Sequence, residues 1–99
     1  MESYQPSLIT IRGIREANAR AGYHFFDPGT LRFFKSRIGR RAYGWGVFVT
    51  SEQGPDGVRR YSVRRCRDDG RIDTVGGFQA YASSDGAKAA AKRVAREQA

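Results

Sequence analysis

The sequence is poor in the residues that build disulfides, metal sites and catalytic centres. Its 99 residues include one cysteine, Cys66, and one histidine, His24. A single cysteine excludes an intramolecular disulfide and a cysteine metal cluster, and one His with one Cys makes a zinc site improbable. Gly44-Trp45-Gly46 lacks the rest of a phosphate-cradling glycine loop. We therefore expect no metal, no cofactor and no enzymatic activity.

One catalytic alternative is a pair formed by Cys66 and His24. Cys66 lies within an arginine run, where neighbouring cations would favour the thiolate. A cysteine is more often a small core or strand residue, however, and His24 precedes two phenylalanines, which favours a role in packing or in a loop. We interpret both residues as structural.

Long apolar runs are also missing. No run approaches the ~18 residues that cross a bilayer, and the first six residues lack the basic start and apolar stretch of a signal peptide. We therefore expect a cytoplasmic protein with no membrane partner. The 39% of hydrophobic residues is enough for a core. We interpret residues 1–7 as a flexible tail, and the length predicts a single domain, at 8–99.

The pattern of apolar residues predicts an α+β fold in the order α-α-β-β-β-α. Thr10 can cap a first helix that ends before Gly22, and Asp27-Pro28 can begin a second helix that runs to about Ile38. Three strands follow at 42–50, 58–66 and 71–78, and a last helix runs from 83–85 to about 97. Short connections between the strands predict an antiparallel meander packed on the Ala-rich C-terminal helix, with an N-terminal helical pair beside it.

Positive charge is the strongest compositional feature. The net charge is +8, from 18 basic and 10 acidic residues, and 15 of the basic residues are arginine. The arginine fork matches phosphate or carboxylate bidentately, although GC-rich coding also favours arginine over lysine. The basic residues form three acid-free runs: Arg32, Lys35, Arg37, Arg40 and Arg41; Arg59, Arg60, Arg64, Arg65 and Arg67; and Lys88, Lys92, Arg93 and Arg96.

The second run predicts a basic sheet face. If Tyr61 and Val63 pack under the last helix, Arg60 and Arg64 face outward from the open side of the sheet. Arg59 and Arg65 then reach solvent at the two strand ends, as further residues of the same binding surface. A ribbon of this kind can enter a DNA major groove, where arginine reads guanine. The alternative is the ordinary polar outer face of an antiparallel sheet.

Both predicted basic helices offer further candidate binding residues. On the second helix, Phe33 falls between Arg37 and Arg40, and an aromatic among arginines is typical of interfaces and of stacking on bases. On the last helix, Lys88, Lys92 and Arg96 are spaced by four residues and form one stripe. The alternatives are that the first helix covers Phe33 and that the stripe is a solvated face.

The C-terminal half resembles two kinds of DNA-binding domain. Tyr61-Ser62-Val63-Arg64-Arg65, Gly70, Val75-Gly76-Gly77-Phe78, Ser84 and Ala87-Lys88-Ala89-Ala90-Ala91 resemble ethylene-response-factor-type domains and the arm-binding N-terminal domains of phage and transposon integrases. The resemblance covers about residues 43–97. It implies a three-stranded sheet on one helix, with Arg60, Arg64 and Thr74 in groove-facing positions.

The chain as a whole looks like small proteins of bacteriophages and prophages, through the segments 24–34 and 48–52. That resemblance implies regulation, takeover of host machinery or inhibition of host defence, in the cytoplasm of the host cell. Our first hypothesis is a DNA-binding protein. One alternative is an inhibitor or adaptor, for example an anti-CRISPR-like protein, that docks on an acidic or nucleic-acid-binding host protein surface with Phe33 or Trp45 as anchor. Another is a subunit of a larger particle.

Overall fold

The computed structural model describes residues 7–98 and confirms the predicted α+β class. Residues 1–6 of the predicted tail lie outside the described residues. Within residues 7–98 the order is α-α-β-β-β-β-α, so the predicted number of strands, three, is corrected to four. The elements are α1 (Ile11–Arg20), α2 (Pro28–Phe34), β1 (Ser36–Gly44), β2 (Val47–Gln53), β3 (Arg59–Cys66), β4 (Ile72–Val75) and α3 (Ser84–Gln98).

The four strands form one antiparallel meander in the order β1-β2-β3-β4. β2 and β3 pair without interruption, with Val49 opposite Val63. The extra strand is β1, which runs from the end of the predicted second helix, at 36–38, to the start of the predicted strand at 42–50. Lys35 stops that helix with a left-handed backbone, at φ 51°. The spacing of Leu31, Phe34 and Ile38 looks helical, but the structure places Ile38 in a strand.

A two-residue turn separates β1 from β2, so the predicted continuous strand at 42–50 is wrong. Trp45 and Gly46 form this turn, and Gly44 pairs with Val47 across it. Both turn residues have positive φ, 53° and 79°, which is the geometry that a tight hairpin requires. A Cβ on Gly46 would collide with the backbone of Cys66. Glycine is therefore required at that position.

Helices cover both faces of the sheet. Val47, Val49 and Val63 pack against α3, whose inner residues are the small Ala87, Ala90, Ala91 and Ala95. On the opposite face, Phe48 and Cys66 pack against Ile14 of α1, with Phe25 and Phe26 beside them. The predicted open side of the sheet is thus covered, because α1 packs on the sheet instead of on α2.

Asn18 fixes α1 in this position. Its buried side chain donates from Nδ2 to the Gly70 carbonyl oxygen at 2.9 Å, and its Oδ1 accepts from the Phe25 N–H at 3.1 Å. The first bond joins α1 to the turn between β3 and β4. The second holds the segment that lays Phe25 and Phe26 over the sheet. A buried amide with satisfied partners therefore closes this face.

Candidate functional site

Two of the three basic runs meet in a groove between β1 and α3. The groove has a volume of about 450 Å³ and is lined by cations from both elements. A second depression of about 510 Å³ continues it along α3 and shares Arg41, Tyr43 and Lys92 with the first. We call the two together the basic groove; its cations are Arg37, Arg40, Arg41, Lys88, Lys92 and Arg96.

The register of each element explains why these side chains converge. Lys88, Lys92 and Arg96 recur every four residues of α3, so they lie along one side of the helix. On β1, Arg37 is paired with Ser51. Three residues, 39 to 41, lie opposite the single residue Val49 of β2. This irregularity places two extra arginines, Arg40 and Arg41, at the edge of the sheet that borders the groove.

The charge of the basic groove is not balanced by nearby acids. No carboxylate lines either part of it. Across residues 7–98, the ion pairs involve other basic side chains and none of the six groove cations. The guanidinium of Arg41 lies 5.4 Å from the centre of the Tyr43 ring, a cation–π contact that leaves its full charge in place. The groove therefore presents a concentrated positive potential.

The predicted outward position of Arg64 is wrong. Its guanidinium donates to Glu52 Oε1 at 2.6 Å, to Thr50 Oγ1 at 2.9 Å and to Thr74 Oγ1 at 2.5 Å. It also lies against the rings of two phenylalanines, 25 and 78, at 5.7 and 5.2 Å. Only 13% of its side chain is exposed. By resemblance, Arg64 and Thr74 were expected to face a groove of DNA. That role does not fit a sheet face that is covered by other parts of the chain.

Within residues 7–98, Arg60 and Arg59 of β3 are also engaged locally, whereas Arg65 is not. Arg60 is partly exposed, but it pairs with Asp56 at 3.0 Å. The pKa of Asp56 is lowered, first by the hydrogen bond from the Val58 N–H and then by Arg60. Arg59 donates to the carbonyl oxygen and hydroxyl of Ser51, both at 3.0 Å. Arg65 is half-buried, and its Nε has no hydrogen-bond partner among the described residues.

The end of this run continues the same pattern. Arg67 donates to Asp73 at 2.7 Å, and Arg71 lies 3.5 Å from the same carboxylate. The pKa of Asp73 is lowered, chiefly by the hydrogen bond from Arg67. Apart from Arg65, the second basic run is therefore matched by carboxylates and by backbone and hydroxyl acceptors. It is not a free cationic surface comparable with the basic groove.

Phe33 does not share a helix face with Arg37 and Arg40, because α2 ends at Phe34. Its side chain is 79% exposed, so the alternative that α1 covers it is wrong. Phe33 and Phe34 contact each other edge-to-face at 5.0 Å between ring centres. Together with Phe78 they form an exposed aromatic surface outside the basic groove.

The structure places the single cysteine and the single histidine in different surroundings. Burial raises the pKa of the Cys66 thiol to about 11, and the negative charges of Asp69 and Asp68 add to the effect. The expected cationic activation of Cys66 is thus overturned, and the thiol stays protonated at neutral pH. His24 is exposed and pairs with Asp27 at 3.0 Å. Within residues 7–98, no three His, Cys, Asp or Glu side chains are grouped as metal ligands would be.

Three aromatic residues also line the groove: two tyrosines that were not predicted to belong to a site, and Trp45, which was predicted only as an anchor for docking on a protein. Tyr43 and Tyr61 line its first part, and both also pack against the core beneath α3. Trp45 stands at the far end, beside Lys92 and Arg96. The sequence signal for its place in a turn is the pair of glycines around it, which indicates a turn instead of a strand.

Among residues 7–98, no helix is long and apolar enough to cross a membrane.

Comparison with known proteins gives a family but no activity. No curated protein and no solved structure compared with the chain matches it significantly. A family model described as "Family of unknown function (DUF7447)" matches residues 10–92, from the N-cap of α1 to Lys92 in the groove. Because this match spans most of the 99 residues, the chain belongs to the DUF7447 family.

Proposed function

We propose that the protein binds nucleic acid and that the basic groove holds its phosphate backbone. One observation carries this proposal: six cations from two elements line one groove, and among residues 7–98 no acid lines it and none of the six forms an ion pair. Like charges gathered in this way repel one another, and a polyanion relieves that repulsion. Of the β3 cations, Arg59, Arg60 and Arg64 are engaged with local acceptors and do not have this property.

The arrangement of the cations favours a polymer over a small anion. Successive cations of the α3 stripe are separated by ~6 Å along the helix, since each residue rises ~1.5 Å. The stripe faces the arginines of β1 across the groove. Two facing rows of charge suit a ligand whose negative charges repeat along its length. The arginines of both sides can supply bidentate contacts, and the two lysines of α3 supply point charges.

Binding should depend steeply on salt. We expect a labelled DNA oligonucleotide to bind at ~50 mM salt, with a log–log slope of affinity against salt of about −4 to −5 if all six cations contact phosphates. Fluorescence anisotropy at several salt concentrations measures the slope. A small acidic dye measured in parallel controls for general attraction of anions. No binding of DNA or RNA at the lowest salt would contradict the proposal.

A second candidate function, docking on a host protein, is favoured by the exposed aromatic surface. Phe33, Phe34 and Phe78 are 79%, 56% and 56% exposed, more apolar area than an isolated surface residue offers. Phe34 and Phe78 also line one cleft of about 280 Å³ with Leu31 and Ile72. Such aromatic residues are typical anchors of protein interfaces.

A pull-down from nuclease-treated lysate separates the two candidates. If the protein docks through the aromatic surface, one protein should be recovered in stoichiometric amount, and the variant Phe33→Ser with Phe34→Ser should lose it. The variant Arg41→Glu with Lys92→Glu, altered only in the basic groove, should retain it. Loss of every partner after nuclease treatment favours nucleic-acid binding.

A further inference from the structure

Trp45 occupies a position that neither the turn nor the core explains. It is the first central residue of the β1–β2 turn and has φ 53°. Positive φ is unusual for a bulky residue, and asparagine is the common residue at this place in a tight hairpin. Its side chain is 56% exposed, so burial does not explain the choice of tryptophan. Strain at an exposed aromatic residue points to a role outside the chain's own packing.

The turn that carries Trp45 is held firmly on both sides. The N–H of Gly46 donates to the Leu8 carbonyl oxygen at 2.8 Å, and the carbonyl oxygen of Gly46 accepts from the Cys66 N–H at 2.9 Å. These bonds join the turn to the segment before α1 and to the end of β3. The indole is therefore presented from a fixed support, which lowers the entropy lost when a ligand stacks on it.

The surroundings of Trp45 identify the kind of ligand. It lines the end of the basic groove together with Arg41, Lys92 and Arg96. It also lines a separate depression of about 460 Å³ with Leu8 and other residues, so there is space beside the ring. Proteins that bind single-stranded nucleic acid combine cations that hold the phosphate backbone with an aromatic side chain that has open space beside its ring.

Resting on the proposed function, we propose that the ligand is single-stranded nucleic acid and that one of its bases stacks on Trp45. Phosphates in the groove position the strand, and the adjacent base reaches the indole. In a duplex the bases are stacked on one another and paired, so their faces are closed to a side chain. A single strand exposes those faces. Every base has such a face, so we expect little sequence preference.

The chain contains a single tryptophan, so its fluorescence reports on Trp45 alone. We expect saturable quenching on titration with an oligothymidylate of about 15 nucleotides. A ribo-oligonucleotide of the same length tests whether the 2′-hydroxyl matters, and tighter binding of either strand than of a duplex of equal length supports the inference. Tighter binding of the duplex would overturn it.

The variant Trp45→Asn separates stacking from folding. Asparagine suits this turn, so the melting temperature of the Trp45→Asn variant should equal or exceed that of the wild type. Its affinity for the labelled single strand should fall about 10- to 100-fold. Trp45→Phe keeps an aromatic face and should recover most of the affinity. If single strands bind without quenching, and Trp45→Asn binds as tightly as wild type, stacking is refuted while groove binding stands; if no nucleic acid binds, the proposed function itself fails.

Discussion

Reversing two charges in the basic groove, with Arg41→Glu and Lys92→Glu, should lower the affinity for nucleic acid at least about 100-fold at ~50 mM salt. The two residues lie on opposite walls of the groove and border both of its parts. Each phosphate contact releases about one counterion, which at this salt concentration is worth roughly a tenfold factor in affinity. The salt slope should become shallower by about two units for the same reason.

The fold should tolerate these substitutions. Both side chains are exposed, and neither pairs with an acid within residues 7–98. Arg41 loses its contact with the Tyr43 ring, and surface changes of this kind shift stability by roughly 0.5 kcal/mol. Circular dichroism and thermal melting check that the variant is folded. A loss of affinity in a folded variant then reports on binding.

A matched control reverses the same number of charges elsewhere. Arg93 lies on α3 but does not line the groove, and Arg12 lies on α1 with 91% of its side chain exposed. The double variant Arg12→Glu with Arg93→Glu should lose much less affinity than the groove variant. Equal losses in the two variants would mean that net charge, and not the basic groove, governs binding.

The parts of the fold that the sequence predicted have local causes. α1 begins where Thr10 accepts a hydrogen bond from the Gly13 N–H at 3.1 Å, as its cap residue indicated. α3 follows its repeating alanines, whose small side chains pack on the sheet. The turn at Gly70, with φ 88°, follows the Asp-Gly signal. Each of these features depends on residues that are close to one another in the sequence.

The errors in the predicted fold arise in short stretches where the spacing of apolar residues fits more than one structure. Ile38 continues the helical spacing of Leu31 and Phe34, yet its side chain packs in the cluster around Phe48. Trp45 continues the alternation of Tyr43 and Val47, although the chain reverses between them. Tertiary packing and hairpin pairing decide both cases. Neither is encoded in the spacing of apolar residues alone.

The candidate site shows the same limit. All six groove cations were recognised as members of basic runs, because such runs are visible in the sequence. Which runs meet depends on the sheet order, which places β1 at an edge that borders α3. Glu52 stands twelve residues from Arg64 and was not recognised as its partner. Charge counts therefore could not separate cations that are free to bind from those already engaged.

Arg64→Ala should lower the free energy of unfolding by about 3–5 kcal/mol, the typical loss when one member of a buried ion pair is removed. The side chain of Glu52 is only 3% exposed, and its Oε1 loses the 2.6 Å contact with the guanidinium. The hydroxyls of Thr50 and Thr74 lose a donor, and two phenylalanine rings lose the planar group between them. Chemical denaturation at neutral pH measures the loss.

Two further variants show whether the unpaired buried charge of Glu52 causes the loss of stability. Arg64→Lys keeps the charge but offers no planar fork for three acceptors, so its stability should be intermediate. Arg64→Met with Glu52→Gln removes both charges and keeps similar volumes. It should be more stable than Arg64→Ala, since replacing a whole buried pair is much less harmful than breaking it.

Arg60→Ala is the control on the same strand and the same face of the sheet. Arg60 is partly exposed, and its one ion pair within the described part of the chain is with the exposed Asp56, so the denaturation midpoint should hardly change. Nucleic-acid binding should also be preserved in Arg60→Ala, because this residue lies outside the basic groove. If Arg64→Ala unfolds at the same denaturant concentration as Arg60→Ala, then Arg64 is not a structural residue, and the sheet face predicted from the sequence becomes the binding surface to test.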